Sequence, residues 1–123
     1  MIKSVLLVGL GGMIGSIGRY LFSLWLIRPA DHIPAGTLLV NLLGSLLIGF
    51  LIAFCARQSD TWRLLLITGF CGGFTTFSTF SLENLKMLQL GNISLFAQYT
   101  LISLIGGLGC AYIGYVTGTK LFH

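Results

Sequence analysis

Four long stretches of this chain are almost free of charge. Val5 to Ile27 carries only Arg19, Gly36 to Ala56 and Ile93 to Val116 carry no charged residue, and Trp62 to Leu90 carries Arg63, Glu83 and Lys86 near its ends. Crossing ~30 Å of hydrocarbon takes roughly 20 apolar residues at ~1.5 Å of helical rise each. Each stretch is long enough, so the pattern predicts an all-α membrane protein with four transmembrane helices. The connections are short, which makes sequence neighbours antiparallel. Residues 1–123 read as one four-helix transmembrane domain. Arg28, Pro29, Asp31, His32 and Pro34 form a polar turn between the first two spans, and no proline falls inside a span.

Within the spans the few polar residues fall into register. Thr37, Asn41 and Ser45 lie four apart in the second span and share one helical face. An asparagine at membrane depth must satisfy its amide, either by bonding another helix or by facing water. Tyr99, Ser103 and Gly107 share a face of the fourth span in the same way. The first span carries Gly9, Gly11, Gly12, Gly15 and Gly18; the Gly11-x-x-x-Gly15 pair predicts a face for close helix packing. Gly114 and Gly118 suggest the same. The spacing is not that of a dinucleotide-binding loop, because the third glycine of that pattern would fall on Ile14.

The third span departs from this regularity. Its 29 residues from Trp62 to Leu90 would extend ~43 Å as a helix, more than the hydrocarbon needs. At its middle lies Gly69-Phe70-Cys71-Gly72-Gly73-Phe74-Thr75-Thr76-Phe77-Ser78-Thr79-Phe80-Ser81, rich in poor helix formers. The pattern predicts a break in the third helix. Irregular backbone at that depth survives only when buried in protein or lining a water-filled path, and half-helix ends are places where ions are held. The simpler alternative is a glycine notch in an unbroken helix. Past the break Phe77 and Phe80 share a face, with Ser81 beside them and Ser78 and Thr79 to its sides. Hydroxyls and rings converging without a fixed charge suit a small ion that needs hydrogen-bond donors.

Composition narrows the class further. The chain is 55% hydrophobic and 8% charged, whereas a soluble domain carries about a quarter charged residues. Its lipid-facing surface is therefore a necessity. The net charge of +4 comes from scattered Lys and Arg, with no cluster of the kind that binds phosphates, so nucleic acid is not a partner. Cys55, Cys71 and Cys110 sit in apolar context without metal-ligand spacing and read as small hydrophobes. The first apolar run is too long for a secretory signal and lacks its cleavage pattern, so it is read as a retained span. Asn92-Ile93-Ser94 matches a glycosylation sequon by chance.

Charge also bears on orientation. Lys3, Arg57, Arg63 and Lys120 lie on one side of the membrane and Arg28 and Lys86 on the other. Four against two is a weak bias under the positive-inside effect, so insertion both ways, and an antiparallel homodimer, are open to this chain.

The stretch Gly72-Gly73-Phe74-Thr75-Thr76-Phe77-Ser78-Thr79-Phe80 closely resembles the signature of the Fluc (CrcB) fluoride channels. Gly36-Thr37-Leu38-Leu39-Val40-Asn41 is similar to that family's second-span motif, and Gly11-Gly12 through Gly15 to Arg19-Tyr20 to its first-span motif. The resemblance covers nearly the whole chain. It implies a dual-topology, antiparallel homodimer in the inner membrane of a prokaryote, with two fluoride pathways and a central sodium ion (Na+). It implies that the backbone carbonyls of Gly72 and Thr75 hold that sodium. Asn41, Phe77, Phe80, Ser78 and Thr79 would line or contact the fluoride path, with Tyr99 and Ser103 along it. Arg19 and Glu83 match family positions and are read as structural or entrance residues. Gly107 departs from relatives that carry a hydroxyl there.

Three other classes compete. A small dual-topology multidrug exporter has the same span count, but such proton-coupled carriers have a glutamate in the first span, and this first span has no carboxylate. A non-transporting assembly subunit would tolerate conservative changes at Asn41 and Phe80. An enzyme would need a nucleophile–base pair or metal cluster within reach, and the sequence offers neither.

Overall fold

The computed structural model describes residues 1–29 and 31–123; Ala30, in the polar turn, lies outside them. Every regular element among the described residues is helical. Helix α1 is Ile2–Trp25 and α2 is Ala35–Cys55. The third segment begins with a short helix α3 at Asp60–Trp62 and continues as π-helical backbone over Arg63–Cys71. It then tightens into α4 at Gly72–Phe74. After Thr75 and Thr76, helix α5 runs Phe77–Gln89, and α6 spans Ile93–Phe122. Among the described residues, four helical segments are thus long and apolar enough to cross a membrane. The last is longer than its uncharged core implied, extending six residues past Val116 and carrying Lys120 in its final turn. A long lysine stem lets the ammonium reach water from there.

Local chemistry sets the connections. Pro34, with its fixed φ of −67°, precedes the first turn of α2. Gly91 takes the left-handed conformation, φ +74°, just past α5, where a side chain would be strained. Asn92 then caps α6, its side-chain oxygen accepting from the Leu95 N–H at 3.2 Å. The sequon asparagine is therefore spent on a helix end.

Glycine governs how the long segments meet. A Cβ on Gly11 or Gly15 would run into the carbonyls of Leu65 or Phe70, and one on Gly69 or Gly73 into those of Val8 or Gly12. Both partners have given up side chains, so α1 lies backbone to backbone against the π-helical stretch. Helices α2 and α6 form the most extensive pair by the same device: Gly49 faces the Ala111 carbonyl and Gly114 the Leu46 carbonyl. Small residues supply the close van der Waals contact that holds helices together in lipid, where apolar burial offers little. Larger apolar residues point outward, among them Leu108 at 76% and Ile105 at 69% exposed. The compact interior lies elsewhere: Phe80, Met87 and Tyr99 pack together with Ile33, Leu38, Leu95 and Phe96 around them.

Replacing Gly114 by leucine should force α2 and α6 apart and destabilise the fold by about 1–3 kcal/mol or more. Gly109→Ala meets open space and should leave stability unchanged or slightly raised. Thermal unfolding in detergent checks both, and a wild-type midpoint for Gly114→Leu would count against glycine-mediated packing.

Candidate functional site

The third segment leaves helical geometry at two residues. Thr75 has φ −84° and ψ 158°, and Thr76 has φ −149° and ψ 117°, both extended. Main-chain groups that lose their helical partners at membrane depth need others, and Asn41, Arg19, Thr75 and Thr76 supply several of them. The Asn41 Nδ2 donates to the Thr76 carbonyl at 3.0 Å, and its Oδ1 accepts from the Thr76 N–H at 2.8 Å. One amide thus satisfies both peptide groups of one residue. Arg19 reaches in from α1, its Nε donating to the Gly73 carbonyl at 3.1 Å. Thr75 folds back, with its N–H and hydroxyl both donating to the Cys71 carbonyl, at 3.0 and 2.9 Å.

Thr76 itself starts the next helix. Its Oγ1 accepts from the Thr79 N–H at 3.2 Å, an N-cap of ordinary type. The same hydroxyl donates to the Thr79 Oγ1 at 3.1 Å and lies 3.3 Å from the Ser78 Oγ. In an unbroken helix the Thr76 N–H would serve the Gly72 carbonyl, and the Thr79 N–H the Thr75 carbonyl. Asn41 has taken the first donor and the Thr76 hydroxyl the second. A cleft of about 480 Å³ opens here, lined by Asn41, Ser45, Cys71, Gly72, Thr75, Thr76 and Phe77 among others. A Cβ added to Gly72 would meet nothing within 4 Å.

From this point a row of rings leads inward. Phe77 is 75% exposed on the single chain, Phe80 only 8%, and Tyr99 fully buried. Ring centroids stand 5.6 Å apart for Phe77–Phe80 and 5.1 Å for Phe80–Tyr99. At its inner end the Tyr99 hydroxyl donates to Glu83 at 2.6 Å, and the Thr37 hydroxyl donates to the other carboxylate oxygen at 2.7 Å. Two donors stabilise a carboxylate at a depth where a bare one would be costly. The Ser103 hydroxyl is buried and has no hydrogen-bond partner among the described residues. Beyond Glu83, a cleft of about 420 Å³ is lined by Arg28, His32 and Lys86. In the adjoining turn the His32 imidazole, 2.7 Å from Asp31, holds that exposed carboxyl below its ordinary pKa by hydrogen bonding.

The structure therefore brings Asn41, Gly72, Thr75, Phe77, Ser78 and Thr79 to one place and Phe80 and Tyr99 to the row beside it. Ser103 lies on α6, one turn past Tyr99. Two connections were not legible in the sequence. Thr76 emerges as the hub of the interrupted segment, although nothing distinguished it from its neighbouring hydroxyls. Glu83, read as an entrance or structural residue, joins Thr37 to Tyr99. The shared face of Thr37 and Asn41 was the available signal for that link. Among the described residues no group of three or more His, Cys, Asp or Glu could hold a metal through side chains.

Residues 6–115 match the family described as "CrcB-like protein, Camphor Resistance (CrcB)". The chain is 49% identical over 116 residues to the fluoride-specific ion channel FluC of Leptospira interrogans serogroup Icterohaemorrhagiae serovar copenhageni, covering 91% of each chain. It is 45% identical over 116 residues to the FluC of Chlorobium chlorochromatii, covering 92% of this chain and 90% of that one. The FluC of Agrobacterium fabrum is 44% identical over 123 residues, covering 97% and 98%. All three relatives are named as channels and none as an enzyme.

Changing Asn41 to leucine strips the Thr76 N–H and carbonyl of their partner at once. Each orphaned buried group costs about 1–3 kcal/mol, so the thermal midpoint in detergent should fall clearly below wild type. Tyr99→Phe removes one of two donors to Glu83 and should cost less, about 1 kcal/mol. Equal midpoints for Asn41→Leu and wild type would show that the amide does not carry the interrupted backbone.

Proposed function

The chain belongs to the CrcB family, a family of ion channels and not of enzymes, and on that premise we propose that it is a fluoride-selective channel through which the ion leaves passively down its electrochemical gradient. The observation that carries the reading is the interrupted third segment. Extended backbone at membrane depth, bordered by hydroxyls and phenyl rings with no lysine among them, suits an anion that must shed water and still leave.

Fluoride is small, strongly hydrated and a strong hydrogen-bond acceptor, so a selective route must replace lost water with donors. The Ser103 hydroxyl is free to donate, Ser78 lies exposed beside Phe77, and Thr79 stands one residue on. The Asn41 amide has two N–H groups and spends one on Thr76. A lysine in their place would hold the ion too firmly, since conduction needs sites that release as well as bind. Ring edges carry positive quadrupole density. Phe77 and Phe80, presented edge-on, would guide the anion along the row toward Tyr99.

In the same reading the working unit is an antiparallel homodimer of dual topology in the inner membrane of a prokaryotic cell, with two fluoride routes and one central Na+. The weak Lys/Arg bias supports insertion both ways, and the open cleft at Gly72 leaves room for a second copy. The donor set suits the ion: the Gly72 and Thr75 carbonyls are hard oxygens taken out of the helical ladder, and hard cations are held by such oxygens. When bound, sodium would supply fixed positive charge beside the anion routes. Protonated fluoride enters an acid-stressed cell as a neutral acid, ionises inside and is trapped. An open anion path returns it outward.

Proteoliposomes should release fluoride and retain chloride once a potential shunt is supplied; equal rates for the two ions would remove selectivity. Asn41→Asp puts a negative group on the route and should slow fluoride efflux about tenfold or more. For topology, Gln58→Cys in the second connection should react with an impermeant thiol reagent from both sides of the membrane, and labelling from one side only would defeat the antiparallel dimer.

A further inference from the structure

We propose that Asn41 and Thr76 are the positioning residues of the cation site, because their side chains take the two N–H groups that would otherwise occupy the carbonyls of Gly72 and Thr75. The inference rests on the sodium reading above and adds what creates the site. Carbonyl oxygens inside a helix are engaged by the N–H four residues on. For Gly72 that donor is the Thr76 N–H, which bonds the Asn41 Oδ1 at 2.8 Å. For Thr75 it is the Thr79 N–H, which bonds the Thr76 Oγ1 at 3.2 Å. Two different side chains, one from α2 and one at the cap of α5, free two main-chain oxygens three residues apart. The Gly73 carbonyl, next to that of Gly72, is instead engaged by Arg19 at 3.1 Å.

The arrangement ties the cation to the anion route. Asn41 holds Thr76 through both its amide atoms, and it lines the same cleft as Gly72 and Phe77. Bound sodium favours the conformation in which both carbonyls are free, which is the conformation that orients the Asn41 amide and the Thr76, Ser78 and Thr79 hydroxyls. A ligand that binds only the folded arrangement stabilises it by mass action.

The test is the unfolding midpoint of the purified full-length protein in detergent, measured across mixtures of NaCl and KCl at constant total salt. Wild type should show a saturable, sodium-specific rise. Thr76→Val keeps the side chain's shape but loses the acceptor for the Thr79 N–H, and should raise the sodium concentration at half-saturation about five- to tenfold. Thr76→Ser should restore it. Asn41→Asp keeps an oxygen for the Thr76 N–H, so its half-saturation should stay at or below the wild-type value even as its fluoride flux falls. Asn41→Asp also keeps the idea refutable if Thr76→Val does not fold. A Thr76→Val protein with wild-type half-saturation, or an Asn41→Asp protein with a raised one, overturns this proposal alone. A wild type with no sodium dependence overturns it together with the sodium reading, and fluoride efflux from proteoliposomes tests the channel reading separately.

Discussion

The structure hangs on one constraint: a peptide group at membrane depth must have a partner, because lipid offers none. At Thr75 and Thr76 the third segment gives up its ladder, and the Asn41 amide supplies the replacement for Thr76, donor to carbonyl and oxygen to N–H, at 3.0 and 2.8 Å. No hydroxyl could do both jobs with that geometry, and a carboxylate could accept but not donate. Arg19, from α1, supplies a donor to the Gly73 carbonyl. Both main-chain groups of Thr76 thus find partners within the protein.

Those partners reach the segment only because the helices come close. Gly11 and Gly15 let α1 lie on the carbonyls of Leu65 and Phe70, and Gly69 and Gly73 return the approach. Arg19 sits one turn beyond Gly15 on the same helix. The first-span glycines are therefore coupled to the interrupted segment: they set the distance across which Arg19 works. The π-helical turns between Arg63 and Cys71, where the Gly72 N–H bonds the Ile67 carbonyl, belong to the same contact.

Around this frame the site is built from neutral groups. Hydroxyls cap and bridge, rings stand in a row, and the half-buried Glu83 carboxylate is held by Thr37 and Tyr99. Of the full cations, Arg19 is turned onto the Gly73 carbonyl, and Arg28 and Lys86 border the second cleft, beside Glu83. Neutral groups suit passage over storage, since a charge that gathers anions is useful outside a narrow route and a trap within it.

Counting and periodicity alone were enough to establish the spans and their packing faces. Four charge-poor stretches are long enough to cross a bilayer because rise per residue is constant. Gly11, Gly15, Gly114 and Gly118 read as packing faces because small residues in lipid have that use, and Asn41 had to find a partner or water because an amide in hydrocarbon cannot go bare. The run from Gly72 to Phe80 also carried the family resemblance, which no count of apolar residues contains. The identity of the partners, by contrast, came from the three-dimensional arrangement. That Asn41 clips Thr76, thirty-five residues away, that Thr76 rather than Ser78 or Thr79 is the hub, and that Glu83 joins Thr37 to Tyr99 all depend on how the segments are juxtaposed. Hydrogen bonds act over about 3 Å, and a one-dimensional pattern holds no distances between segments.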